Sequence, residues 1–414
     1  GAVRPPPAPC ASQPDAQRAH ARPVARIFDS RCGRRQLPTR LLVCGAAQAR
    51  VGERKMSGSA FPLLPAALRV KAPRATVLMT HAAGFNAGSL RPFAVALAAR
   101  AEKEAAPVDV FALEFQGHGA RHASKPDALR WGEWASEDVL HALSQWPSRD
   151  EDVPLVGVGM SMGATALMQA QLAGPEAGAP FRAIVGFEPI VGPAFSAVAE
   201  TQQAAAAGGA GSDSATGGGG GGHFPPNPLY EATLLRPWVF RGAADAKRTL
   251  AGLRLLRGAQ PDVVEAFVDG SGTVPLGSSE RDDEAAAQMP GVPREELCAL
   301  ACDPAWEAWL YRGGNDLWRQ LGRLPARGGL TLVGGERSPI PAMAFGGMPG
   351  GEGPSAAEAM AMLVARAAAG AKAGQCTPEL RMVAGAAHLL PFSHPAECAD
   401  IVWESQLARV CGRD

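Results

Sequence analysis

A chain of 414 residues has the length for one large domain or two ordinary ones, with ample material for a buried core. Its 40 Lys and Arg are matched by 40 Asp and Glu, which removes the electrostatic ground for a nucleic-acid or anionic-membrane partner. No uninterrupted apolar run reaches the roughly 18–20 residues of a membrane-spanning helix, so a soluble protein without integral membrane association is expected.

The eight cysteines fall at 10, 32, 44, 298, 302, 376, 398 and 411. None makes a CxxC pair, and Cys298-x3-Cys302 has no second ligand pair at zinc-site spacing. Reduced thiols and no metal are therefore expected. Glycine (49) and proline (36) are plentiful, which inflates chance matches to glycine-containing motifs; each such motif needs its structural context.

Residues 1–55 carry eleven Arg or Lys against Asp15, Asp29 and Glu53, with "RPPPAP" near the start and no sustained periodicity. A basic, acid-poor leader is similar to an organellar transit peptide, which would send the protein to a plastid or mitochondrion rather than leave it cytoplasmic. The alternatives are a disordered tail, or upstream sequence with Met56 as the real start.

From about residue 67, short apolar runs alternate with helical segments, the pattern of a parallel sheet flanked by helices. In chain order the predicted strands are "ATVLMT" (75–80), "VDVFALEF" (108–115), "VPLVGVG" (153–159), "RAIVGFE" (182–188), "LTLVGG" (330–335) and "LRMVAG" (380–385). Such near-continuous apolar runs suit strands covered on both faces. Helices are predicted at 87–104, 135–146, 162–173 and 395–411; Pro395 opens the last where its missing N–H costs nothing. The alternation breaks between 194 and 328. There a glycine-rich, low-complexity stretch (204–223) cannot pack a core and reads as a surface loop, followed by helical stretches such as "EATLLRPWVF". The expected organisation is a leader (1–55), a core in two parts (56–193 and 329–414), and a mostly helical inserted lid (194–328) between the strands at 182–188 and 330–335.

Three stretches carry chemistry. In "LVGVGMSMGATALM" (155–168), Gly159-x-Ser161-x-Gly163 joins a hydrophobic strand to an Ala/Leu/Met helix. A serine raised on a tight strand-to-helix turn needs small neighbours, and the helix amino terminus then faces developing negative charge. In "MVAGAAHLLPFSHP" (382–395), His388 follows the last strand by a short loop, where it would return to the sheet's carboxyl edge. In "THAAGFNAGSL" (80–90), a glycine-bearing loop leaves a strand where a backbone N–H of an oxyanion hole is supplied, with Met162 supplying the other. His81 reads as a loop anchor, and His118 in "FQGHGAR" as a turn-stabilising residue rather than a base.

The ordered set His-x-x-Gly-Phe, Gly-His-Gly, Gly-x-Ser-x-Gly and late Gly-x-x-His resembles the α/β-hydrolase superfamily over roughly residues 67–411, apart from the glycine tract. More narrowly, "HAAGF", "WGEWASEDVL", "GFEPIVGP" and "LACDPAWEAWLYRGG" resemble a lid-bearing AB hydrolase-1-like group. The resemblance implies Ser161 as nucleophile and His388 as general base, with the N–H groups of Met162 and Phe85 as oxyanion hole and Ala83 as the fallback. It also exposes two departures. The usual first strands are poorly represented before residue 67, and Ser338 stands in "LVGGERSPIP" where an aspartate is usual.

The histidine needs a carboxylate to fix its tautomer. Glu336 lies two residues before Ser338, beside Arg337. Glu188 closes a buried apolar strand ahead of Pro189 and faces the sheet's ligand edge, and some groups of the superfamily take their acid from that strand. Glu188 is the preferred assignment and Glu336 the fallback. The chemistry implied is cleavage of a small or medium apolar ester or thioester through an acyl-enzyme, without metal or organic cofactor. A carbon–carbon bond hydrolase and a non-catalytic ligand-binding member of the fold are the alternatives. Trp238, Phe240, Trp306 and Tyr311 are candidates for pocket lining, with packing inside the lid the preferred role for each.

Overall fold

The computed structural model describes residues 60–62, 70, 72–146, 150, 152–173, 179–208, 228–347, 352–373 and 375–412. The basic leader 1–55 and residues 209–223 of the glycine tract lie outside the described residues.

In chain order the strands are β1 (Ala60–Pro62), β2 (Ala75–Thr80), β3 (Val108–Leu113), β4 (Leu155–Met160), β5 (Ala183–Phe187), β6 (Val239–Phe240), β7 (Thr273–Pro275), β8 (Cys298–Leu300), β9 (Gly329–Gly335) and β10 (Glu379–Val383). Seven of them form one sheet in the order β1-β3-β2-β4-β5-β9-β10. Six run parallel, and β1 pairs antiparallel to β3. Every residue of β2, β3, β4 and β5 is buried, which is why these strands read as unbroken apolar runs rather than alternating ones. The sequence pattern contains no strand before 67. Three residues, "AFP", are too few for periodicity to register.

Helices cover both faces. Helix α1 (Arg91–Lys103) lies on one face with the helix Pro395–Val402; α2 (Trp131–Ser144), α3 (Met162–Ala173) and the helix Ala356–Ala368 lie on the other. The strand order sets the location of the site. From β2 the chain moves outward to β3, and it then returns to β4 on the opposite side of β2. The connections after β2 and β4 therefore diverge to opposite faces, opening a crevice at the carboxyl ends of these two strands. Parallel α/β sheets bind their ligands at such a reversal point.

Between β5 and β9 the chain makes a long excursion. It holds several helices and, in addition to the helical content expected, a small antiparallel sheet in the order β6-β8-β7. Strands of two or three residues leave no alternation to detect. This segment is continuous with the core on the α1 face: its Phe240, Leu250, Val264 and Phe267 belong to the same buried cluster as Val77, Met79 and Phe93. Among the described residues no helix is long and apolar enough to cross a membrane.

Candidate active site

Ser161 sits between the last residue of β4 and the first of α3. Its backbone is left-handed (φ 56°), a conformation that costs an L-residue roughly 1–2 kcal/mol and that lifts the side chain out of the turn. The turn closes only because its flanking residues are glycines. A Cβ on Gly159 would lie 2.5 Å from the Cα of Ala164, and one on Gly163 would lie 2.6 Å from the carbonyl oxygen of His81. The Ser161 N–H donates to the Phe187 carbonyl (2.8 Å), and the next amide along β5, that of Glu188, donates to Val333 (2.8 Å). These bonds tie three neighbouring strand ends together.

His388, on the loop after β10, bridges these ends. Its Nδ1 lies 2.5 Å from Glu188 Oε2 and its Nε2 3.1 Å from Ser161 Oγ. The carboxylate side fixes the tautomer, so Nδ1–H donates to Glu188 and the Nε2 lone pair faces the serine hydroxyl. Ser161 is 6% exposed and Glu188 fully buried. A buried carboxylate needs donors, and Glu188 has three: His388 Nδ1–H, the Gly335 amide (2.7 Å) and the Ser338 hydroxyl (2.5 Å). Glu188 is itself left-handed at φ 44°. Ser338, at the position where an aspartate is usual, thus donates to the glutamate that follows the neighbouring strand.

Glu336 is turned elsewhere. It is exposed, and its Oε2 accepts from the Gly385 amide (2.8 Å), while Arg337 Nε donates to the Gly385 carbonyl (2.8 Å). Both side chains grip the loop that carries His388, and neither touches the imidazole.

Met162 opens α3, where a main-chain N–H has no intrahelical carbonyl to bond. In the loop after β2, the Phe85 amide donates to Ala82 O (3.2 Å); it is consumed by the turn, so Phe85 is a poor candidate for an oxyanion donor. Ala82 O also lies 2.9 Å from His81 Nδ1. In a trans peptide the C=O and the following N–H point in opposite directions, so the Ala83 N–H faces away from that pair of donors.

His81 and His118 are both fully buried. His81 Nε2 accepts from the Phe115 amide (3.2 Å) and lies 3.1 Å from Glu114 Oε1, which makes it an anchor of the loop. His118 Nδ1 lies 2.9 Å from the Gln116 carbonyl, and its Nε2 accepts from the Gly84 amide (3.1 Å). Burial pushes His118 well below its ordinary pKa, and the positive charge that His81 and Arg236 can carry adds to the effect. The unfolded chain takes up this proton near pH 6.5. Below that pH it binds more protons than the folded state, so stability falls as pH drops toward the folded value. Thermal midpoints at pH 7.5 and 5.5 should therefore diverge, and His118→Gln should narrow the gap. An unchanged gap would remove His118 as its source.

Trp238, Phe240, Trp306 and Tyr311, the candidates for pocket lining, are each engaged in packing or hydrogen bonding. Phe240 is buried, Trp306 Nε1 donates to Pro126 O (2.8 Å), the Tyr311 hydroxyl donates to Glu307 (3.1 Å), and Arg281 lies over the Trp238 ring at 5.2 Å. Among the described residues no three His, Cys, Asp or Glu side chains are grouped to hold a metal ion.

No family model matches the chain, and no curated protein matches it in sequence. Solved structures do. It is similar to the peroxisomal α/β-hydrolase Lpx1 of Saccharomyces cerevisiae at 13% identity and a TM-score of 0.55, over 85% of this chain and 81% of that one. It is also similar to an E-2-(acetamidomethylene)succinate hydrolase, at 16% identity and a TM-score of 0.48 over 80% and 91% of the two chains. A thioesterase domain from the curacin biosynthetic pathway matches at 16% identity and a TM-score of 0.47, over 79% and 90%. Identities this low speak to the fold, and the fold is that of the α/β-hydrolase superfamily.

Proposed function

We propose that the protein is a serine hydrolase that cleaves a carboxylic ester or thioester of an apolar acid. The observation that carries this reading is the unbroken chain Glu188–His388–Ser161, with contacts of 2.5 and 3.1 Å at the carboxyl edge of a parallel sheet. His388 Nε2 takes the hydroxyl proton as Ser161 Oγ attacks the acyl carbon, and Glu188 stabilises the imidazolium that forms. The imidazolium then returns the proton to the leaving alcohol or thiol. Water, deprotonated by the same Nε2, hydrolyses the acyl-enzyme. The Met162 and Ala83 amides bind the oxyanion; the orientation of the 82–83 peptide favours Ala83 over Phe85. The segment between β5 and β9 acts as the lid and forms the substrate pocket.

A fluorophosphonate probe tests this without knowledge of the substrate. Folded protein should gain one adduct, mapped by mass spectrometry to the peptide containing Ser161, and heat-unfolded protein none. Folded protein that gains no adduct at Ser161 overturns the proposal.

A further inference from the structure

His118 is fully buried, is supplied by the loop after β3, and has no part in the proton transfers above. It bonds to the second of the two consecutive peptides that meet at Ala83. The 82–83 peptide is pinned through Ala82 O, which accepts from His81 Nδ1 and the Phe85 amide. The 83–84 peptide is pinned through the Gly84 N–H, which His118 Nε2 accepts at 3.1 Å. The His118 Nδ1 contact to the Gln116 carbonyl selects the tautomer that leaves Nε2 as an acceptor. Gly84 has φ +78°, a conformation in which glycine is the freest residue the loop contains. The Phe85 N–H to Ala82 O bond closes the turn around the 83–84 peptide without bonding that peptide itself; the His118 bond holds it directly.

Both partners in that bond are pressed from the far side by one helix of the inserted segment, Pro304–Leu310. The Trp306 ring packs edge-on against His118 with centroids 5.5 Å apart, and its far edge closes over Gly117, where a Cβ would lie 2.4 Å away. The Glu307 carboxylate covers Gly84 so closely that a Cβ there would lie 2.3 Å from Oε1. Glu307 is itself held by Arg236 (Nη1 to Oε1, 3.0 Å) and by Tyr311.

We propose that His118 is a positioning residue for the oxyanion hole: as hydrogen-bond acceptor for the Gly84 amide, it aims the adjacent Ala83 N–H at the space above Ser161. The helix Pro304–Leu310 seats this pair, so the inserted segment sets the geometry of the hole as well as covering it. The proposal rests on the serine-hydrolase reading.

The test compares wild type, His118→Ala and His118→Gln by second-order rate of fluorophosphonate labelling and by kcat and KM on p-nitrophenyl butyrate. Misplacing an oxyanion donor costs on the order of 10²-fold. His118→Ala should lose about that factor in labelling rate and kcat, with KM little changed. His118→Gln supplies an acceptor oxygen and should recover at least half of the loss on a logarithmic scale. Circular dichroism of each variant establishes that the fold is retained. If His118→Ala is destabilised, the folded Gln variant decides: a labelling rate within about tenfold of wild type supports the role, and any larger loss overturns it. Wild-type rates in a folded His118→Ala, or a loss confined to KM, overturn the positioning role while leaving the hydrolase reading intact. A wild-type protein that is not labelled at Ser161 overturns both.

Discussion

Ser161→Ala should abolish fluorophosphonate labelling and lower ester turnover by roughly 10⁴–10⁶-fold. The oxygen removed is the one aligned with His388 Nε2 at 3.1 Å, and no other hydroxyl is held against that nitrogen among the described residues. The residual rate measures what the oxyanion donors and binding alone contribute to attack by water. The substitution is mild for the fold. Alanine carries the same Cβ as serine and meets the same backbone cost at φ 56°, and the glycines on either side keep their clearance. Steady-state kinetics and a thermal melt on the same preparation separate the two effects. Turnover within tenfold of wild type in a folded Ser161→Ala would rule out the acyl-enzyme mechanism.

Glu188→Gln is expected to cost turnover about 10⁴-fold, by analogy with removal of the acid in other Ser–His–acid systems. The loss arises from geometry as well as charge. Glu188 uses both oxygens: Oε1 accepts from the Gly335 amide, and Oε2 accepts from both Ser338 Oγ and His388 Nδ1. A glutamine has one oxygen and an NH2 group. If the oxygen stays on Gly335, the NH2 faces two donors, and His388 is driven to the tautomer that presents a proton to Ser161. Glu336→Gln is the matched control. Its partner is a single backbone amide, that of Gly385, which a glutamine oxygen accepts equally well. It should leave kcat within a few-fold of wild type. Wild-type turnover in Glu188→Gln, or an equal loss in Glu336→Gln, would refute the assignment of the acid.

The parts of the fold that were legible in sequence are those in which one local pattern has one physical cause. Strands β2 to β5 are buried on both faces, and burial on both faces writes itself as a continuous apolar run. Ser161 was legible because its turn demands glycines at fixed offsets. What stayed hidden is non-local. Whether Phe85 or Ala83 presents its amide depends on the orientation of a peptide plane, which is set by His81 and by hydrogen bonds that no spacing rule encodes. Ser338 looked like a missing acid because its partner Glu188 lies 150 residues earlier in the chain. His118 read as a turn residue, correctly for its Nδ1; its Nε2 meets a glycine of a different loop. Trp306 reads as a packing residue inside the lid, and nothing in "DPAWEAWL" points its Glu307 to Gly84.

Only four non-glycine residues with left-handed backbone occur among the described residues, and two of them are Ser161 and Glu188. At Ser161 glycine would relieve the strain, by about 1 kcal/mol or more, yet glycine removes the hydroxyl; at Glu188 it would also leave the Gly335 amide, the Ser338 hydroxyl and His388 Nδ1–H without their acceptor, a larger loss than the strain relieved. Selection for thermal robustness alone would therefore push position 161 toward the one residue that ends the proposed activity. A library sorted for stability rather than turnover should enrich inactive variants there, the trade between robustness and activity expected where strain and chemistry share a residue.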